Sequence, residues 1–284
     1  YLYNWFKEAR YGQLLCKVTV HKVGWRTVGA LKPSIKARLS NQVHRHQRLR
    51  YTALAMFLPL YDRNPLKIVP YQRVTVSLMV LNVLVFIWQI TLSTPATNSF
   101  VLGYGMVPAV LFDQVNLPSE VIRVPAEISL LTSMFLHGDV WHLLGNLLFL
   151  WVFGDNIEDA MGHLRFAVFY FLCGLLAGIT HAMVEFDSLS PLIGASGAVS
   201  GILGAYIILH PRVKVLALVF SRIPVYLPAR WLLIGWILFQ FVALTVSEDT
   251  VAWWAHIGGF AVGMALIPLF KHRDVPLFDK GTVH

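Results

Sequence analysis

The sequence predicts an all-α, polytopic membrane protein of six transmembrane helices with both termini on the cytoplasmic side. Three observations carry that prediction. Of 284 residues, 56% are apolar and only 13% are charged, with a mean hydropathy of +0.61. A soluble domain runs at about 45–50% apolar and about 25% charged, so both a soluble fold and a disordered chain are excluded. The apolar residues fall in charge-free runs, and Lys and Arg are distributed unevenly between the segments that join them.

The runs are Val74–Leu92, Trp141–Gly154, Phe166–Val184, Ser188–Pro211, Trp231–Val246 and Val251–Phe270. A bilayer core about 30 Å thick needs about 20 such residues in a helix. The second run is short, but Asp139 stands where an N-cap would open it and Met134–Gly138 lie just before. Val225–Ala229 can lengthen the fifth. With the N-terminus inside, segments 1–73, 155–165, 211–230 and 271–284 hold 22 of the 23 Lys and Arg residues, and the outer segments hold only Arg123. That asymmetry is what the positive-inside rule demands.

The net charge of +8 does not point to nucleic acid, because residues 1–73 hold 14 basic residues against Glu8 and Asp62 while the remainder is acidic. Residues 1–55 read as a basic extension, solvated or lying on lipid, with a loose compositional likeness to an organelle transit peptide. Cys16 and Cys173 form neither a disulfide framework nor a metal-ligand spacing. The first outer loop, Ser93–Val140, is long enough to carry function or to fold at the interface.

Polar residues inside the spans mark candidate sites, since hydrocarbon penalises them. His142 and Asn146 are four residues apart, hence about 40° apart in azimuth, so both project from one face of the second helix. Ser196, in Gly194-Ala195-Ser196-Gly197, opens the fourth helix among glycines, where free amides stabilise negative charge. The plainer reading is a small-residue packing face, with the serine bonded only to neighbours. His256, in Ala255-His256-Ile257-Gly258-Gly259, lies on the strip of Gly263 and faces another helix; its plain reading is a neutral histidine bonded within the bundle. With the predicted orientation, the second, fourth and sixth helices all begin on the outer side, so the three sites share a depth. Together they supply a hydroxyl, an imidazole base and further donors, the parts acyl transfer requires.

With these motifs the chain resembles the rhomboid family of intramembrane serine proteases. Ser133-Met134-Phe135-Leu136-His137-Gly138 before His142-x-x-x-Asn146, Trp151–Asp159 and Ile202–Leu209 extend the likeness over about Met56–Phe270. The resemblance implies a six-helix bundle in which Ser196 and His256 form a catalytic dyad without a carboxylate. It further implies that His142 and Asn146 join the Ser196 amide in stabilising the oxyanion, with Gly194, Gly197, Gly259, Gly263 and His137 as structural support. Substrates would be transmembrane proteins, entering beside the fifth helix with Ser247–Thr250 as a lid, and no cofactor or metal would be needed. The Trp-Arg pair of some rhomboids is not found in Ser93–Val140.

Compact bacterial members often begin with a segment like Met56–Pro65. The expected organisation is therefore a dispensable extension at 1–55, a protease domain at 56–270 and a short cytoplasmic tail at 271–284. Lipid is an expected partner, nucleic acid is not, and a bacterial inner membrane is the expected location, with a mitochondrial membrane as the alternative. Two other functions compete. An inactive rhomboid-like protein could use the same fold to bind client helices. A small-molecule transporter would be expected to show inverted repeats or paired broken helices, which this sequence lacks.

Overall fold

The computed structural model describes residues 57–219, 222–246 and 251–279. The extension 1–55, the expected lid Ser247–Thr250 and the last residues of the tail lie outside them. The described residues are mostly helical. In chain order they form β1 (Phe57–Asp62), α1 (Arg73–Thr91), α2 (Thr94–Tyr104), α3 (Pro108–Leu111), α4 (Ala126–Thr132), α5 (Val140–Met161), α6 (His163–Val184) and α7 (Ser196–Leu209). There follow β2 (Lys214–Val219), β3 (Ile223–Pro228), α8 (Ala229–Val246) and α9 (Trp253–Phe270). The six apolar runs become α1, α5, α6, α7, α8 and α9. By length and composition, α1, α6 and α9 can cross a membrane; α7 and the Ala229–Thr245 stretch of α8 are shorter apolar helices.

α7 opens at Ser196, where the sequence places the start of the fourth helix, although the charge-free run begins at Ser188. Ahead of α7 the loop is held in non-helical form by Met106: Leu192 N–H donates to Met106 O at 2.7 Å and Met106 N–H to Leu192 O at 3.2 Å. The structure departs from the sequence reading in three places. The all-α reading missed a three-stranded antiparallel sheet in the order β1-β2-β3. Val225–Pro228 belong to that sheet, so α8 is not lengthened by them. Finally, α5 does not stop near Gly154 but runs on through Asp155, Glu158 and Asp159 to Met161.

The last of these has a clear physical cause. A carboxylate can end a buried helix if donors meet it, and here backbone amides do. Glu158, fully buried, accepts from Val74 N–H at 2.9 Å, from Thr75 N–H at 2.8 Å and from the Thr75 hydroxyl at 2.7 Å. It thereby caps the first turn of α1, whose own N-cap residue, Gln72, supplies no side-chain bond. Asp159 receives the amides of Lys67, Ile68 and Val69 at 2.7–2.9 Å. Beside them, Asp62 at the end of β1 accepts from Asn156 Nδ2 at 3.0 Å and from the Tyr206 hydroxyl, tying the sheet to α5 and α7.

The core forms around α7, in which every residue from Gly197 to Tyr206 is buried. Its closest neighbour is α9, and the approach is set by glycine. A Cβ on Gly263 would meet Gly201 Cα at 2.7 Å, and one on Gly259 would meet the Gly197 carbonyl carbon at 3.0 Å. Backbone thus packs on backbone, which is the small-residue seam expected where no hydrophobic force drives helices together.

Candidate active site

Ser196 and His256 enter from opposite sides of that seam. Ser196 is the first residue of α7; His256 lies in the first turn of α9, where its N–H donates to Ala252 O at 3.2 Å. Their side chains meet, with Ser196 Oγ 2.8 Å from His256 Nε2. Ser200, the neighbouring hydroxyl on α7, donates to Ser196 O at 2.7 Å and so is occupied within the helix. Both members of the pair are partly exposed, and the Trp236 and Trp253 rings each stand 6.0 Å from the imidazole.

Gly194 makes the turn into α7 possible. Its φ of +117° is one that residues with a Cβ rarely adopt, and its N–H donates to Ser133 O at 2.9 Å. The space its missing Cβ leaves is aimed at by both α5 residues. A Cβ there would lie 2.6 Å from His142 Nε2 and 3.7 Å from Asn146 Nδ2. The spacing of four therefore does what the sequence predicts, bringing the imidazole and the amide to one place, two residues before Ser196.

The hydrogen bonds around these two groups set their polarity. Asp139 caps α5 by accepting from His142 N–H at 2.9 Å. Gly138 N–H donates to His142 Nδ1 at 3.4 Å, so the neutral ring carries its proton on Nε2, the nitrogen that faces Gly194. Asn146 is 7% exposed and, among the described residues, its Nδ2 has no hydrogen-bond partner. Such an orphan costs about 1–3 kcal/mol, which a stability-driven sequence would remove by substitution.

His137 is fully buried and sits edge-on to His142, with ring centroids 5.1 Å apart. Gln89 of α1 clamps its backbone, donating to His137 O at 2.6 Å and accepting from His137 N–H at 3.3 Å. Gly197 packs against Ala177 of α6. Among the described residues no group of three or more His, Cys, Asp and Glu is placed to hold a metal ion.

One contact at the site escaped the sequence reading. His256 Nδ1 lies 2.8 Å from Gln240 Oε1 on α8. A lone glutamine in an otherwise apolar run was the available signal, since hydrocarbon penalises an amide as it does a histidine.

Comparison with known proteins agrees with this arrangement at the level of family. The sequence profile of the Rhomboid domain matches residues 124–273, which is more than half of the chain and contains Ser196, His256, His142 and Asn146. Rhomboid protein 1, mitochondrial, of Saccharomyces cerevisiae is 30% identical over 151 residues, covering 50% of this chain and 41% of its own. Rhomboid-related protein 2 of Mus musculus is 32% identical over 139 residues, 48% of this chain and 45% of its own. Rhomboid-like protease 3 of Toxoplasma gondii is 29% identical over 147 residues, 51% and 53% respectively. The chain thus spans about half or less of the length of these curated relatives. Profile, relatives and apolar helices together make it an integral membrane protein, and it belongs to the rhomboid family.

Proposed function

We propose that the chain is an intramembrane serine endopeptidase that cleaves transmembrane segments of membrane proteins near the outer face of the bilayer. The observation that carries this reading is the 2.8 Å approach of Ser196 Oγ to His256 Nε2 beside two donors that converge on Gly194. His256 takes the hydroxyl proton on Nε2 as Ser196 Oγ bonds to the peptide carbonyl carbon. His142 Nε2–H and Asn146 Nδ2–H, with the Ser196 amide, stabilise the oxyanion, each donor worth about 10²–10³ in rate. The imidazolium returns its proton to the departing amine as the C–N bond breaks. Water then attacks the ester carbon as His256 takes its proton, and the imidazolium passes that proton to Ser196 Oγ as the C–Oγ bond breaks, restoring the free serine and the neutral imidazole. Gly194, Gly197, Gly259, Gly263 and His137 hold the geometry without touching substrate.

The topology belongs to the same proposal: six spans, both ends cytoplasmic, with α5, α7 and α9 starting on the outer side. α7 has 14 residues and rises about 21 Å, less than the hydrocarbon thickness. A helix that short places its first residue below the membrane surface, where water reaches only a cavity lined by protein. A small cavity beside Ser196, walled by Gly174, Gly178, Gly194 and Met134, suits a small side chain next to the scissile bond. Because helical carbonyls are already bonded, substrates with helix-weakening residues near that depth are favoured.

The basic N-terminal segment and the charge asymmetry support a bacterial inner membrane; the mitochondrial names of several relatives make a mitochondrial membrane the second reading. Residues 1–55 are proposed as dispensable, so their deletion should leave labelling by a serine-directed probe unchanged.

The decisive experiment treats detergent-solubilised protein with a fluorophosphonate and compares wild type with Ser196→Ala and His256→Ala. Labelling of the wild type alone supports the protease reading. A folded wild type that stays unlabelled in several detergents and in lipid replaces it with a rhomboid-like protein that binds client helices.

A further inference from the structure

We infer that Gln240 is a positioning residue for the base, fixing which ring nitrogen of His256 faces the serine. The inference rests on the protease reading above and adds to it a third group, carried by a different helix.

Gln240 is 3% exposed, so each end of its amide needs a partner inside the protein. Its Nε2 donates to Trp236 O at 3.2 Å. A backbone carbonyl only accepts, so that bond fixes which end of the amide is nitrogen. The other end, Oε1, therefore faces His256 Nδ1, at 2.8 Å. An amide oxygen only accepts as well, so Nδ1 carries the proton. The neutral imidazole then has its lone pair on Nε2, the atom 2.8 Å from Ser196 Oγ. In the other tautomer Nε2–H would face the serine and could not take its proton. When the imidazolium forms, the same oxygen keeps Nδ1–H satisfied, as the buried site requires.

Gln240 and Trp236 are one turn apart on α8, and Trp236 also packs its ring against His256. α8 thus presents one face that both orients and walls the base. His256 is held along α9 by its backbone and against rotation by α8.

The test measures fluorophosphonate inactivation of the purified full chain, separating the maximal rate kinact from the half-saturating concentration KI. Gln240→Leu keeps size and loses the acceptor; kinact should fall about 10- to 100-fold, as for a lost buried bond to a group that becomes charged, with KI unchanged. Gln240→Glu restores an acceptor and should recover most of that loss. In a His256→Ala background, with residual rate read by long incubation, Gln240→Leu should have no further effect. Wild-type kinact in Gln240→Leu, equal losses in the Leu and Glu variants, or a full extra loss without His256 each overturn the positioning role. A wild type that is not labelled at all overturns the protease reading and this inference with it, so the two failures are told apart.

Discussion

Gly194→Ala is the substitution whose effect the geometry specifies most fully. The added methyl would stand 2.6 Å from His142 Nε2 and 2.7 Å from Cε1, where carbon contacts want about 3.5–4.0 Å. The ring or the turn must therefore give by about 1 Å, a displacement that costs about 10²-fold when it moves a group at a reacting centre. Asn146, whose Nδ2 would be 3.7 Å away, is left in ordinary contact, so the damage falls on one donor. Separately, φ of +117° penalises any Cβ, by about 1–3 kcal/mol of stability. The two effects are separable by fluorophosphonate kinetics and thermal unfolding in detergent. Gly194→Ala alone should lose about 10²-fold in kinact and melt lower. In a His142→Ala background the same change should lower the melting temperature again but cost little further rate, since the donor is already gone. Retention of kinact within about threefold, or a full additional rate loss in the double variant, would refute the assignment of His142 as a donor at Gly194.

Three further outcomes are expected. Asn146→Leu removes an orphaned amide, so thermal stability should hold or rise while kinact falls about 10²–10³-fold. Glu158→Ala strips the cap from α1 and leaves the Val74 and Thr75 donors unmet, which should cost about 1–3 kcal/mol for each buried donor in reversible unfolding, with the surviving folded fraction still labelled by a fluorophosphonate. Burial pushes the Asp62 carboxyl up to about 7, against the opposing Tyr206 hydrogen bond and helped by the nearby Asp155. Between pH 4 and 7 the folded state then binds more protons at Asp62 than the unfolded state, so its contribution is fullest at low pH and is lost as pH rises through about 7. Asp62→Asn should flatten the unfolding midpoint across that window, and an unchanged slope would dismiss Asp62 as its source.

What could be read in the sequence was what periodicity and polarity encode. His142 and Asn146 share a face because four residues nearly complete a turn, and the structure brings both to Gly194. The pairing of Ser196 with His256 was suggested by a shared depth, which needs only the positive-inside rule. The sheet was not legible: Lys214–Val219 reads as an apolar stretch in a basic loop, and β1 lies more than 150 residues away in sequence. Asp155, Glu158 and Asp159 looked like the end of a span because charge normally stops one. The partners of Asp159 and Glu158 include backbone amides at 67–69 and 74–75, and a backbone amide leaves no trace in residue identity. Gln240 was missed for a related reason, since its meaning comes from a helix elsewhere and from the direction of one amide.

The glycine seam makes the pair of helices behave as a lever. Gly204, where a Cβ would meet Phe260 C at 2.9 Å, lies eight residues from Ser196, or about 12 Å along the axis. Pivoted there, a lean of about 5° carries the hydroxyl roughly 1 Å, the scale on which rate changes a hundredfold. On the proposed mechanism, reactivity is therefore exposed to alterations far from any reacting atom. A methyl placed deep in the seam acts as a wedge under the tip, and a search for slower or faster variants has its finest adjustment at the end of the lever opposite the chemistry.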